Sequence, residues 1–381
     1  MTTFKRDILF RTLTLVLLMA LSGCSTSPEP EAGPTSAPET LQATLDKWRL
    51  RGDIPAVVVG VAHSDGRRWL GASGTPERAG PVAVTTDARF RIASITKVFV
   101  AVVVLQLVEE GKLELDDPLS RYLPDYSAQG VTIRQLLNHT SGIPDYSMSD
   151  DFNKNLLNDR ERRWTTAEVL ALVKDKEPDF RPGTDYSYSN TDYILLGEVI
   201  GKVTGRSWAQ EIRRRILDPL KLDSTHVAGS ERVPQPVVPG YFDADNDGDV
   251  ENIETGGPWQ ALETSEGPAG AIVSTAPDLL AFGDALFHGR LVPEPALRAM
   301  VAEGPYHPRF SNYGLGVEIL RPDYRTTIWG HGGFLPGFKS ALWYVPSRDA
   351  VIVVMANDAR ANTADLAELL MRHLPVRGVG S

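Results

Sequence analysis

The chain of 381 residues contains a single cysteine, Cys24, which excludes an internal disulfide and any cysteine-rich zinc site. It also lacks a basic excess: 39 Lys and Arg against 49 Asp and Glu leave a net charge of −10. Without clustered positive charge there is little to hold a polyphosphate, so nucleic acid is not the expected partner. Plain electrostatic adhesion to anionic lipid is disfavoured for the same reason. The one N-terminal apolar stretch, Leu13 to Leu21, is too short for a membrane span, which needs about 20 apolar residues. No internal repeat occurs, and the lack of a Gly-Xaa-Ser-Xaa-Gly elbow disfavours the α/β-hydrolase fold. What remains is an ordinary composition, 42% apolar and 23% charged, on a chain long enough to bury a large core without metal or disulfide staples.

The N-terminus reads as an export signal. Lys5, Arg6 and Arg11 precede the apolar stretch, and a small-residue pair follows it. Leu21-Ser22-Gly23-Cys24 resembles the lipobox of bacterial lipoproteins, which implies acylation of Cys24 as the first residue of a mature chain. Residues 1–23 are thus the expected lipoprotein signal peptide. Residues 24–39, rich in Ser, Pro, Glu, Thr, Gly and Ala, form a flexible tether that cannot bury a core. The expected location is the cell envelope, lipid-anchored and extracytoplasmic, with the membrane as a partner through the anchor.

Residues 40–381 read as one domain. Leu41, Leu45 and Trp48 recur at helical spacing, Ala56–Ala62 reads as a buried strand, and Ser64-Asp65-Gly66 turns it into a hairpin. An almost wholly apolar helix is expected from about Ser94 to Glu110. The segment 113–265 is turn-rich and helical, with Thr132 and Thr165 or Thr166 as caps and further helices over Ile194–Val203 and Trp208–Leu217. Strand patterns return at Tyr313–Leu320, Thr326–Gly330, Lys339–Val345 and Val351–Met355, before a helix at Thr363–His373. Strands at both ends with helices between them predict an α/β (α+β) fold. An antiparallel sheet built from the N- and C-terminal segments is flanked by helices and carries an inserted all-helical lobe.

Three short patterns carry chemistry. In Ser94-Ile95-Thr96-Lys97, residues three apart share a helix face, and a desolvated amine beside a hydroxyl can take its proton. It is the one Ser-Xaa-Xaa-Lys of the chain, and its lysine sits in an apolar helix where a charge is costly. Alone, the pair equally suits a capping serine with a solvated lysine. Tyr188 and Asn190, two apart, place a phenol and an amide on one face of an extended segment, although Asn190 also suits a helix cap. Gly330-His331-Gly332-Gly333-Phe334 marks either a tight bend or a strand that another backbone or a ligand approaches closely.

In this order, Ser94-Xaa-Xaa-Lys97, Tyr188-Xaa-Asn190 and His331-Xaa-Gly333 resemble the three motifs of the penicillin-recognising serine hydrolases. The likeness is to their class C β-lactamase, D-Ala-D-Ala carboxypeptidase and esterase branch, and it extends over residues 40–375. The resemblance implies Ser94 as acylated nucleophile, Lys97 as its proton partner and Tyr188 as general base and leaving-group acid. It implies Asn190 as holder of the substrate amide, and His331 and Gly333 on the strand flanking the substrate. The backbone N–H groups of Ser94 and Phe334 would form the oxyanion hole. Which of Lys97 and Tyr188 takes the first proton stays open. His331 stands where many β-lactamases carry lysine, and a neutral histidine binds a carboxylate weakly, which tilts the reading toward a peptidase or esterase. An arginine near this strand would serve a terminal carboxylate; Arg321 and Arg325 are close in sequence, with neither assigned.

The expected function is therefore a serine hydrolase acting through an acyl-enzyme on D-alanyl peptide-like or small ester and amide substrates, needing no cofactor and no metal. A true β-lactamase, an esterase and a non-catalytic envelope binding protein are the alternatives. Two further motifs read as structure. Ser141 in His139-Thr140-Ser141-Gly142 belongs to a turn. Asp243 to Glu254 matches the spacing of a twelve-residue calcium loop, but its flanks are not helical, and Asn246-Asp247-Gly248 suits a hairpin.

Overall fold

A computed structural model describes residues 40–375 except 79, 127–129, 245–246, 254–258, 303, 305, 308–310 and 324–325. Cys24, the segments 1–23 and 24–39, and Arg325 lie outside the described residues. Thr40 opens the fold: its hydroxyl accepts the Ala43 N–H and caps helix α1 (Leu41–Gly52). The apolar run forms strand β1 (Ala56–His63), and the chain returns as β2 (Arg68–Gly74). A two-residue strand β3 (Phe90–Arg91) leads through a 3₁₀ turn at Ala93–Ile95 into helix α2 (Thr96–Glu109). Every residue of α2 from Thr96 to Leu105 is buried, and Phe99 stacks on Phe282 with ring centroids 3.6 Å apart, so α2 is the central helix.

The inserted segment supplies α3 (Ile133–Leu137), α4 (Asp150–Asn158), α5 (Thr166–Ala171), α6 (Asn190–Thr204), α7 (Trp208–Ile212) and α8 (Asp218–Leu220). Thr132 and Thr165 cap α3 and α5 in capping boxes. The segment is not wholly helical. It adds strand β4 (His226–Val227) and the pair β5 (Tyr241–Phe242) and β6 (Glu251–Asn252), where proline- and glycine-rich sequence cannot sustain a helix. The calcium-like stretch thus begins in a hairpin. The Asp243 carboxylate accepts the N–H groups of Asp247 and Gly248.

Helix α9 (Gln260–Gly270) is broken at Gly267, whose φ of 42° and ψ of −130° are not helical. Then follow β7 (Ile272–Ser274), α10 (Ala276–Phe287), α11 (Glu294–Met300), β8 (Tyr306–His307), β9 (Ser311–Tyr313), β10 (Glu318–Asp323), β11 (Thr326–Leu335), β12 (Phe338–Val345), β13 (Ala350–Ala356) and α12 (Thr363–Met371). The main sheet has eight strands in the order β2-β1-β13-β12-β11-β10-β9-β8, all antiparallel. N- and C-terminal segments meet between its second and third strands, where Val57 faces Ala356. Val57, Val59 and Val61 face the core shared with Trp48 of α1 and Leu366 and Leu370 of α12. Ala56, Val58 and Ala62 face the larger core containing α2 and α10. The alternation is that of a sheet covered on both faces. β11 is longer than its sequence pattern implies: it runs straight through the glycine-rich motif to Leu335, so that motif is strand and not bend.

Candidate active site

Ser94 is set by the turn before α2. Ala93 takes a positive φ of 51°, a strained value for a residue with a Cβ, and swings Ser94 to the mouth of the helix. The turn is fixed from two sides. Ile92 N–H donates to Ile272 O at 3.0 Å on β7, and Ser340 Oγ of β12 donates to Ile92 O at 2.8 Å. Lys97, one turn on, is fully buried. Its ammonium donates to Ser94 Oγ at 3.1 Å, Asn190 Oδ1 at 2.8 Å and the Ala269 carbonyl at 2.8 Å. The broken end of α9 is what turns the Ala269 carbonyl toward this amine.

Asn190 is the first residue of α6, capped not by its own side chain but preceded by Ser189, so its amide is available to the site. Oδ1 receives Lys97, while Nδ2 donates to Asp145 Oδ2 at 3.0 Å. Tyr188 lies just before this helix. Its phenol hydrogen-bonds with the Ser94 hydroxyl, and its ring centroid is 4.9 Å from Lys97 Nζ. Ser94, Lys97, Tyr188 and Asn190 thus converge from separate elements on one point.

The third motif approaches from the sheet. β10 pairs with β11 only as far as Gly330, so the edge of His331–Leu335 on that side has no β10 partner and faces the cleft. Gly333 lets this edge touch the turn that carries Ser94: a Cβ there would lie 2.1 Å from Ser340 Oγ and 2.4 Å from Ile92 O. Phe334 follows, half exposed, with Lys339 Nζ 4.5 Å from its ring centroid. The His331 ring does not present a charge to the cleft. It is 1% exposed, its Nε2 meets the Tyr313 hydroxyl at 2.8 Å, and its Nδ1 faces Glu318 Oε1 at 3.4 Å and the Gly332 carbonyl. Burial, aided by Lys97, pushes its pKa down to about 3, so the ring is neutral at physiological pH and offers a substrate carboxylate no switchable charge. Arg321 is exposed on β10.

Four carboxylates surround Lys97. Burial pushes the amine's pKa down to about 8, opposed by Glu266, Asp145, Glu318 and Asp192. Burial in turn raises Glu266 and Glu318 to about 7, Asp145 above the usual carboxylate range and Asp192 far above it. Burial also drives the Tyr188 phenol well above 10, although its bond with Ser94 works the other way. Asp192 is consumed by the fold, receiving Ser141 Oγ at 2.6 Å and facing His139 Nδ1 at 3.2 Å, so Ser141 is structural, as its turn sequence implies. Glu266, Glu318, Asp145, Tyr313 and the Ala269 carbonyl carried no signal in the sequence, save the Gly267-Pro268 pair that breaks α9.

The cleft in front of Ser94 has a volume of about 830 Å³ and is lined by Tyr188, Asn190, Glu266, Phe334 and Lys339 among others. Such a volume accepts a small ligand or short peptide. Among the described residues no cluster of His, Cys, Asp and Glu is arranged to hold a metal ion.

Comparison with known proteins agrees with this geometry. Residues 38–373 match the beta-lactamase family model. The chain is 29% identical to Penicillin-binding protein 4 of Amycolatopsis lactamdurans, over 84% of this chain and 86% of that protein. It spans 60% of the length of Penicillin-binding protein 4* of Bacillus subtilis, with 29% identity. The D-stereospecific amidohydrolase from a Streptomyces species superposes with a TM-score of 0.77 at 33% identity, over 86% of this chain and 96% of that one. The D-amino acid amidase from Ochrobactrum anthropi gives a TM-score of 0.78 at 28% identity, over 87% and 96%. A buried lysine on a serine at the head of the central helix, the motif strand beside it and these relatives lead to one conclusion: the chain belongs to the beta-lactamase family and is a serine hydrolase of its beta-lactamase-related branch.

Proposed function

We propose that the protein hydrolyses small amides, esters and peptides of D-amino acids, D-alanyl peptides among them, through an acyl-enzyme on Ser94. The observation that carries this reading is how the Lys97 hydrogen bonds are shared. A neutral amine has two N–H groups and one lone pair. Asn190 Oδ1 and the Ala269 carbonyl accept the two N–H groups, which leaves the lone pair for the Ser94 hydroxyl 3.1 Å away. Lowered to about 8, Lys97 is available as a base near neutrality, whereas Tyr188, raised well above 10, stays a phenol. Lys97 therefore takes the Ser94 proton as Oγ bonds to the carbonyl carbon. Tyr188 delivers a proton to the departing amine or alcohol and regains one from the Lys97 ammonium; water then cleaves the ester, Lys97 taking its proton and returning it to Ser94 Oγ. The N–H groups of Ser94 and Phe334 stabilise the oxyanion, a task in which losing one donor typically costs about 3–4 kcal/mol of barrier.

The D-stereospecific relatives support the substrate side of the reading. A D-alanyl-D-alanine carboxypeptidase is the second reading, favoured by Lys339, a cation in the cleft that could meet a terminal carboxylate. In either case the enzyme works at the cell envelope, held by lipid on Cys24 through the 24–39 tether. Palmitate labelling lost in Cys24→Ala, with release of the protein from membranes, is the expected result; a variant still membrane-bound refutes the anchor. A fluorophosphonate should add to Ser94 in the mature protein and not in Ser94→Ala, as read by peptide mass spectrometry. Modification elsewhere overturns the assignment.

A further inference from the structure

The Lys97 environment leaves one carboxylate of the cleft unexplained. Asp145 receives Asn190 and the Ser147 N–H, Asp192 receives Ser141, and Glu318 receives the Gly332 N–H and faces His331. Glu266 lines the same cleft as Ser94, yet among the described residues its carboxylate makes no hydrogen bond and no ion pair. The fold makes room for this group. Glu266 stands immediately before the Gly267 break that aims Ala269 at Lys97, and a Cβ at Gly270 would lie 2.5 Å from Glu266 Oε2. A half-buried carboxylate without a partner is costly, and the cost is recovered when a cation arrives. Lys97 acts on this carboxylate through space and not by contact, because its amine is taken up by Ser94, Asn190 and Ala269. Around Glu266 the cleft is apolar: Phe152, Trp259 and Leu262 line it, and Met148 and Phe334, two large apolar side chains exposed to solvent, stand at its rim.

We propose that Glu266 binds the free α-ammonium of the acyl-donating residue, so that the preferred substrates are amides and short peptides whose scissile residue carries an unblocked amine and an apolar side chain. This rests on the acyl-enzyme reading above and deepens it. A carboxylate beside an apolar wall recognises an amino acyl group by both ends, charge and side chain. It rejects an N-acylated residue, which would leave the carboxylate buried without a counter-charge. Glu266 is on this view a specificity residue and takes no part in the bond-making steps.

The test compares D-phenylalanine p-nitroanilide with its N-acetyl derivative on the mature protein. Wild type should favour the free amine by about tenfold or more in kcat/KM, the usual worth of a charge-assisted hydrogen bond. Glu266→Gln should abolish that preference, chiefly through KM, and Glu266→Asp, which keeps the charge, should retain part of it. Equal rates for the two substrates in wild type, or a preference that survives in Glu266→Gln, overturns the inference. Should the glutamine variant misfold, competition in wild type decides: D-phenylalanine amide should protect Ser94 from the fluorophosphonate and N-acetyl-D-phenylalanine amide should not. Equal protection overturns the inference, while a wild-type protein that takes no label at Ser94 overturns the underlying reading instead.

Discussion

At the scale of single residues, the site is a contest between burial and charge at Lys97. Desolvation lowers its pKa and four carboxylates hold it up, with the balance near 8. A base must be deprotonated to act, so kcat/KM should rise with pH along a limb centred near 8 and flatten above it; a pH–rate profile from 6 to 9.5 measures this. Replacing Lys97 by Met should lower kcat/KM by about 10²–10⁴-fold, the range of general-base catalysis, while Ser94 labelling slows in parallel. Gly333→Ala tests a purely steric demand. The new methyl group meets the Ile92 carbonyl, which is backbone and cannot move aside without moving the turn that carries Ser94. Loss of about 1–3 kcal/mol in stability, by denaturant melts, is expected together with a fall in kcat. Ser94, Lys97, Tyr188 and Asn190 were legible in the sequence through the resemblance that their motifs carry together, since each motif alone also suits a plain structural role. Glu266 and Glu318 were not, since nothing local distinguishes a carboxylate that faces Lys97 from one that faces water.

At the scale of elements, the central helix is the part on which positioning depends. α2 is apolar on all sides because it is buried on all sides, and its Phe99 stacks against Phe282 of α10. Phe99→Ala should cost about 3–5 kcal/mol, seen as a lowered melting temperature, with reduced activity because Ser94 and Lys97 ride on the same helix. Element types were read well where periodicity is strong, as in α1, β1, α6 and β13. Boundaries were missed where tertiary contacts decide. β11 continues through two glycines because β12 pairs with it residue by residue from Trp329 to Leu335. α6 starts at Asn190, not beyond it, because the Asn190 side chain is held by Lys97 and Asp145 instead of capping the helix.

At the scale of the molecule, function trades against stability. Glu318 is raised from 4.5 to about 7 by burial, so the folded state binds its proton more tightly than the unfolded chain does. Its contribution to stability is present below about pH 4.5 and lost as pH rises through 7. Glu318→Gln, which keeps the shape and removes the charge, should therefore stabilise the protein at pH 8 by up to about 3 kcal/mol and have little effect near pH 4. Thermal melts of both proteins at the two pH values check the sign. A sheet assembled from both chain ends could be read from hydrophobic period, a local property, and the three motifs from their ordered resemblance to a family. It took the assembled fold to show that His331 is neutral and enclosed, that the Lys97 amine is held by Ser94, Asn190 and Ala269, and that Glu266 lines the cleft beside the charge of Lys97. Protonation and unsatisfied charge depend on which groups, distant along the chain, share a dry space.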